Sequence, residues 1–108
     1  MEDCIFCKIV KKQIPSEFLY ESENIIVIKD INPSADTHIL IVPKKHIPTF
    51  LDLNENEFLE EAKKVAQDLI NKNNLQSGYK MVFNGGKYQI VPHLHWHLLG
   101  GNMKKEAI

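Results

Sequence analysis

The chain has 108 residues, of which 44% are apolar and 25% charged, a composition typical of one globular domain spanning residues 1–108. Thirteen basic against fourteen acidic residues leave a formal charge of −1, which excludes global electrostatic attraction to nucleic acid or to an anionic membrane. The apolar runs are shorter than the ~20 residues of a membrane-spanning helix, and the start lacks the basic residues of a signal peptide. We therefore expect a cytoplasmic protein.

The first predicted element is a short amphipathic helix from Cys4 to Lys12, because apolar residues recur there at helical spacing and Pro15 closes the segment. Two short runs of β-forming residues follow, at 18–20 and 25–28, with polar residues between them. This arrangement predicts a hairpin or a meander.

A buried strand is predicted over 37–42, after the turn-forming residues 30–34. Two-residue alternation places His38 on the same face as Leu40 and Val42. A single polar side chain on an otherwise apolar strand face needs a hydrogen-bonding partner.

The longest predicted helix starts near Asn54, which resembles the first residue of a capping box with Glu57, and it ends near Asn73. An apolar stripe at helical spacing would face the core. The stripe consists of Phe58, Leu59, Ala62, Val65, Ala66, Leu69 and Ile70.

Two more strands are predicted after this helix, at 80–83 and 93–99, with a turn at Asn84-Gly85-Gly86 and glycines after the second strand. Strand-rich halves that flank one long helix, without regular alternation of strands and helices, favour an α+β fold with an antiparallel sheet. The exposed edges of such a sheet favour dimerisation.

Three of the five histidines lie in the last predicted strand, as H-L-H-W-H. On a strand, His93, His95 and His97 would project from one face at intervals of ~7 Å. The apolar residues between them indicate a buried opposite face, which disfavours a simple surface patch. Two functional interpretations remain: an open three-histidine metal site, or a phosphate-handling cluster with a histidine nucleophile.

The segment H-L-H-W-H-L-L-G-G, preceded by Gln89, resembles the signature of the histidine triad (HIT) superfamily in its Hint-like branch. The ending Leu99-Gly100-Gly101 is similar to the nucleoside phosphoramidase type. The resemblance extends over C-I-F-C-K-I, Asp30-Ile31-Asn32-Pro33 and Val42-Pro43-Lys44-Lys45-His46. It implies a HIT-like fold, with an antiparallel sheet of about five strands and one long and one short helix. It also implies a homodimer formed through the main helix and a neighbouring strand.

The resemblance implies that His95 attacks the α-phosphate of a purine nucleotide and forms a nucleotidyl-histidine intermediate. A backbone carbonyl would hold its other ring nitrogen, so that the attacking nitrogen stays unprotonated. His97 would stabilise or protonate the leaving group. His38 would lie near the triad and tune its protonation. The implied reaction is cleavage of a nucleoside phosphoramidate or a related bond, with no organic cofactor.

Nucleotide-binding residues also follow from the resemblance, position by position. Apolar side chains would form the walls of a purine cleft, an acidic residue would accept hydrogen bonds from the ribose, and polar residues would lie near the phosphate. These positions are Ile5, Phe6, Ile9, Asp30, Ile31, Asn32, Asn84, Gln89 and His97.

Cys4 and Cys7 form a C-x-x-C pair, which points to metal binding or redox chemistry in a cytosolic chain. Together with His46 and His93 they would complete the Cys₂His₂ set of a structural zinc site, as in many prokaryotic relatives with this motif. The alternative is two reduced, buried thiols. A redox role is disfavoured, since no predicted strand leads into the motif as in thioredoxin-like proteins.

The chain departs from the family pattern at Ile90, where many Hint-like proteins have a serine near the phosphate. The loop from Asn84 to Gln89 is also shorter than usual. These departures leave open a second function, a catalytically weak nucleotide sensor or scaffold that keeps the purine cleft.

Overall fold

A computed structural model describes residues 3–54 and 56–104, which form a five-stranded antiparallel sheet with two α-helices. The expected α+β fold class is therefore confirmed. The elements are α1 (Ile5–Val10), β1 (Phe18–Glu21), β2 (Ile25–Lys29), β3 (Ala35–Pro43), α2 (Asn56–Lys72), β4 (Tyr79–Val82) and β5 (Trp96–Met103), with single 3₁₀ turns at Phe50–Asp52 and Gly86–Tyr88.

The strands are arranged in the order β1-β2-β3-β5-β4, so β3 is central while β1 and β4 form the edges. Both faces of the central strands carry apolar side chains, because α2 covers one face of the sheet and α1 covers the other. Ile39 and Ile41 of β3 pack with α2 on one face, whereas Leu40 and Val42 pack with α1 on the other. The predicted alternation along β3 is confirmed, and it places His38 on the α1 face.

Helix α2 buries most of its predicted apolar stripe, although Leu59 is 38% exposed and Ile70 is only partly buried. The predicted capping box between Asn54 and Glu57 spans position 55, which lies outside the described residues. Neither helix in the described part of the chain is long and apolar enough to cross a membrane.

The last strand was predicted over 93–99, and this prediction is wrong at both ends. β5 begins at Trp96, so His93 and His95 precede it. The reason is a tight turn around Pro92: the His93 N–H donates to the carbonyl of Val91 (2.8 Å) instead of to a neighbouring strand. Because the chain bends here, the three histidines face different surroundings.

The glycines at the other end do not terminate β5, which continues to Met103. Gly101 has a φ of +76° at an irregularity in the β3–β5 pairing, a conformation that favours glycine. A Cβ at Gly100 would lie 2.5 Å from the side chain of Leu75. Backbone geometry and packing therefore account for the Gly-Gly pair that follows the triad.

Candidate active site

A cleft of about 430 Å³ lies on the α1 face of the sheet, between α1, the loop after β2 and the segment leading into β5. Most of the residues expected to contact a nucleotide line it. These residues are Ile5, Phe6, Ile9, Asp30, Ile31, Asn32 and His97, together with the predicted nucleophile His95. Ile90, whose position the resemblance sets near the phosphate, also lines the cleft, as does Val91, which the sequence reasoning did not single out.

Asn84 and Gln89 are not among the residues that line this cleft. The Gln89 side-chain amide donates to the carbonyls of Pro48 (2.6 Å) and Val91 (3.0 Å). Its amide therefore ties the segment before the histidines to the loop after β3.

The His95 ring is held in one tautomer by its own backbone. Its Nδ1–H donates to the carbonyl oxygen of His93 at 2.8 Å, and a carbonyl can only accept. The lone pair is thus on Nε2. Burial lowers the pKa of His95, while the His93 carbonyl and the charge of Asp30 act in the opposite direction. The ring is consequently neutral near pH 7 and its Nε2 is nucleophilic.

His38, the polar residue on the apolar face of β3, is hydrogen-bonded through both ring nitrogens. The backbone N–H of Ser34 donates to its Nδ1 (3.0 Å), which puts the proton of the neutral ring on Nε2. That Nε2–H donates to Nδ1 of His97 at 2.9 Å. The remaining proton of His97 must therefore be on Nε2. No sequence pattern marked Ser34, because its contribution is a backbone group.

Asp30 lies beside this pair of imidazoles, with its Oδ2 3.4 Å from Nε2 of His38. Its Oδ1 accepts a hydrogen bond from the backbone N–H of Asn32 (2.8 Å), which fixes the carboxylate at the edge of the cleft. Burial is the main cause that lowers the pKa of His97 to about 4, and the neighbouring His95 and His38 add to it. The charge of Asp30 opposes this shift.

Two groups of side chains that could bind a metal occur in the described part of the chain. Within each group, the ligand atoms lie within 4.8 Å of one another. One group contains Asp30, His38 and His97. It is a poor metal site, because the proton on Nε2 of His38 occupies the nitrogen that would bind the metal. Neither group contains His93, His95 and His97 together, so the described residues do not support an open three-histidine site.

The second group contains Cys4, Cys7, His46 and His93, the four residues of the predicted Cys₂His₂ set. The Nε2–H of His93 donates to the carbonyl of Pro43 (2.8 Å), so its Nδ1 carries the lone pair and faces both cysteines. The sulfur-to-nitrogen distances are 3.2, 3.3 and 3.6 Å. Tetrahedral zinc with ordinary bond lengths requires about 3.6 Å between sulfur and nitrogen ligands. The donor set therefore fits a zinc ion.

The Cys7 thiol lacks the lowered pKa of an activated redox cysteine. Burial, together with the hydrogen bond and charge of Cys4, raises the pKa of Cys7 above that of an ordinary thiol. Redox-active cysteines instead need a lowered thiol pKa. Metal binding is therefore the better interpretation of the motif.

Comparisons with known proteins agree with the geometry. A family model described as "Scavenger mRNA decapping enzyme C-term binding" matches residues 3–107. A 14 kDa zinc-binding protein of Zea mays is 46% identical over 103 residues, covering 90% of this chain and 80% of that protein. The structure of a HIT family hydrolase from Legionella pneumophila has a TM-score of 0.87 at 42% identity, covering 95% of this chain and 96% of that one. A histidine triad nucleotide-binding protein from Candida albicans has a TM-score of 0.84 at 34% identity, covering 97% and 78% respectively.

We predict that His97 stays neutral until the pH approaches about 4, whereas an unperturbed histidine becomes charged near pH 6.5. The pKa is lowered because burial penalises the charged ring, so lowering the pH from 8 to 5.5 should leave this side chain uncharged. NMR titration of ¹⁵N-labelled histidine measures the midpoint, with the urea-unfolded chain as control. A native midpoint near 6.5 for His97 would contradict the prediction.

Proposed function

This chain belongs to the HIT-like (histidine triad) family, and from that membership we propose that it hydrolyses purine nucleoside 5′-phosphoramidates through a nucleotidyl intermediate on His95. The observation that carries this proposal is the fixed tautomer of His95, which leaves a neutral ring with a free Nε2 lone pair in the cleft. A nucleotide ligand is also consistent with the related nucleotide-binding protein of Candida albicans.

The cleft suits a purine nucleoside in both shape and polarity. Phe6 and Ile9 are buried apolar residues on its α1 side, and the exposed Ile31 lies at its rim. An aromatic base binds well between such surfaces. We propose that the Asp30 carboxylate accepts hydrogen bonds from the ribose hydroxyls.

In the first chemical step, the lone pair of His95 Nε2 attacks the α-phosphorus and the bond from phosphorus to the leaving nitrogen breaks. The negative charges of the bound phosphate and of Asp30 favour uptake of one proton by the His38–His97 pair. His97 delivers a proton to the departing amine through Nε2–H. The His93 carbonyl stabilises the positive charge on the substituted His95 ring.

In the second step, water attacks the phosphorus and the bond to His95 Nε2 breaks. The His38–His97 pair now takes a proton from the attacking water. The products are a nucleoside monophosphate and a free amine, and release of the proton that the His38–His97 pair took up at the start returns the three histidines to their starting protonation. The net reaction consumes one water molecule.

The catalytic test compares the wild-type chain with His95→Ala, using adenosine 5′-phosphoramidate and following AMP release. We expect kcat/KM to fall at least about a thousandfold, because the nucleophile is lost. Lys11→Ala, an exposed position outside the cleft, is the control and should leave the rate unchanged. Unchanged turnover in His95→Ala would contradict the mechanism. Tight AMP binding with turnover near background in the wild type would instead favour the sensor or scaffold function.

We also propose that Cys4, Cys7, His46 and His93 hold a structural zinc ion. The ion would fasten the start of α1 to the loop after β3 and to the turn before β5, since its ligands come from all three segments. When bound, it supplies a closed tetrahedral link and takes no part in the reaction.

The expected metal content is one zinc ion per chain, measured by mass spectrometry of the metal in the purified protein. Cys7→Ser should lose the zinc and lower the melting temperature, because zinc binding stabilises only the folded chain. Ser77→Cys, which adds a thiol at an exposed position outside the cluster, is a control that should not change the zinc content. A metal-free chain that binds no Co²⁺ and melts at the same temperature as Cys7→Ser would contradict the assignment.

We further propose that the chain forms a homodimer through β4 and the neighbouring aromatic residues. β4 pairs only with β5, so its outer edge has unpaired backbone groups. Tyr79 and Met81 are exposed on this strand, and the stacked rings of Phe50 and Phe83 are each more than 40% exposed. A contiguous apolar patch beside an open strand edge is typical of an interface between protein chains.

A dimer would have twice the 12.5 kDa chain mass in light scattering at micromolar concentration. Met81→Lys should shift this mass towards the monomer, because it buries a charge in the interface. Leu19→Lys on the opposite edge strand is the matched control, since both residues are 37% exposed. A monomeric wild-type chain, or equal dissociation of both variants, would contradict the proposed interface.

A further inference from the structure

A second depression, of about 900 Å³, adjoins the cleft on the side of the loop after β3. The two share Ile5, Ile90 and Val91 in their walls, so they form one continuous surface. We call this second depression the Ile90 groove. Ile90 lies between the groove and the cleft and lines both. Its side chain is large and apolar, yet 92% exposed.

The walls of the Ile90 groove are mostly apolar, with Pro48 and Pro92 beside the three shared residues, and Cys4 and His46 of the proposed zinc site also line it. Asp3 is its acidic side chain, and none of its described lining residues is a lysine. The sequence contains no arginine. An anionic group in the groove would therefore meet mostly apolar walls and the carboxylate of Asp3.

The position of the groove relates it to the leaving group. If the nucleoside occupies the cleft and its phosphorus lies at His95, the atoms beyond the scissile bond must leave the cleft through an adjoining space. Ile90 and Val91 line both depressions, which makes the groove an apolar continuation of the cleft. A polar side chain at position 90 would interrupt this continuity.

We propose that the Ile90 groove binds the amine part of the substrate and that Ile90 selects apolar amines over anionic leaving groups. This inference rests on the proposed function of the same site. It identifies the substrate class as nucleoside 5′-phosphoramidates of primary amines with an aromatic or branched aliphatic group. Phosphoramidates that carry a carboxylate, and substrates with a phosphate leaving group, are disfavoured by the apolar walls and by the carboxylate of Asp3.

The experiment compares two adenosine 5′-phosphoramidates, one of 2-phenylethylamine and one of β-alanine, which are primary amines of similar basicity. For the wild-type chain we expect kcat/KM to be at least about tenfold higher for the phenylethyl substrate, because binding buries part of its apolar group. Ile90→Ser should reduce this ratio at least about threefold. Because Ile90 is exposed, the substitution should not change folding, which a melting curve verifies.

Two control variants separate the groove from general effects on the loop. Ile90→Leu keeps an apolar wall and should keep the preference. Tyr88→Ser removes another exposed apolar residue of the same loop, which lines neither depression, and should also keep it. Asp3→Asn should raise kcat/KM for the β-alanine substrate only, because it removes the repelling charge.

The outcomes distinguish the inference from the function on which it rests. Equal kcat/KM for both substrates, or an unchanged ratio in Ile90→Ser, would overturn the groove assignment while leaving His95 catalysis intact. Absence of turnover with both substrates and with the unsubstituted phosphoramidate would overturn the proposed function and the inference together.

Discussion

The hydrogen bond from His95 Nδ1–H to the carbonyl of His93 decides what the site can do, because it leaves the Nε2 lone pair free in the cleft. This bond depends on the turn around Pro92. If the strand began at His93, as the alternation predicts, this carbonyl would face a neighbouring strand or solvent. The late start of β5 is therefore the structural condition for the free Nε2 lone pair of His95.

The same turn gives adjacent histidines different environments. His93 directs Nδ1 to the two cysteines and its carbonyl oxygen to His95, so the proposed zinc ion would also hold the residue that orients the nucleophile. His97 lies on β5 and contacts His38 on the neighbouring β3. The sheet thus fixes His97, the proposed proton donor, while the preceding turn fixes His95, the proposed nucleophile. A zinc ion bound to His93 would hold this turn to α1 and to the loop after β3.

Much of the fold follows from local patterns in the sequence. Two-residue alternation predicted the face of His38, and helical spacing predicted the long helix, because these patterns reflect burial of a single element. The bounds of β5 could not be predicted, since they depend on a hydrogen bond from His93 to Val91 and on close packing at Gly100.

The resemblance predicted most of the side chains that line the cleft. It predicted less well the contacts that involve backbone N–H and C=O groups. The hydrogen bond of Ser34 to His38 leaves no sequence signal. Gln89 was expected near the phosphate, yet its side-chain amide donates hydrogen bonds to two backbone carbonyls. The convergence of Cys4 and Cys7 with His46 and His93 depends on contacts between distant segments, which spacing alone does not determine.

In the proposed mechanism the nucleotidyl group passes through a covalent bond to His95, and the stereochemical course at phosphorus tests this step most directly. An adenosine 5′-phosphorothioamidate of known configuration would be hydrolysed in ¹⁸O-labelled water, and the configuration of the product determined by ³¹P NMR. Two successive in-line displacements predict retention of configuration. Inversion would show that water attacks the substrate directly, and would contradict a nucleotidyl-histidine intermediate.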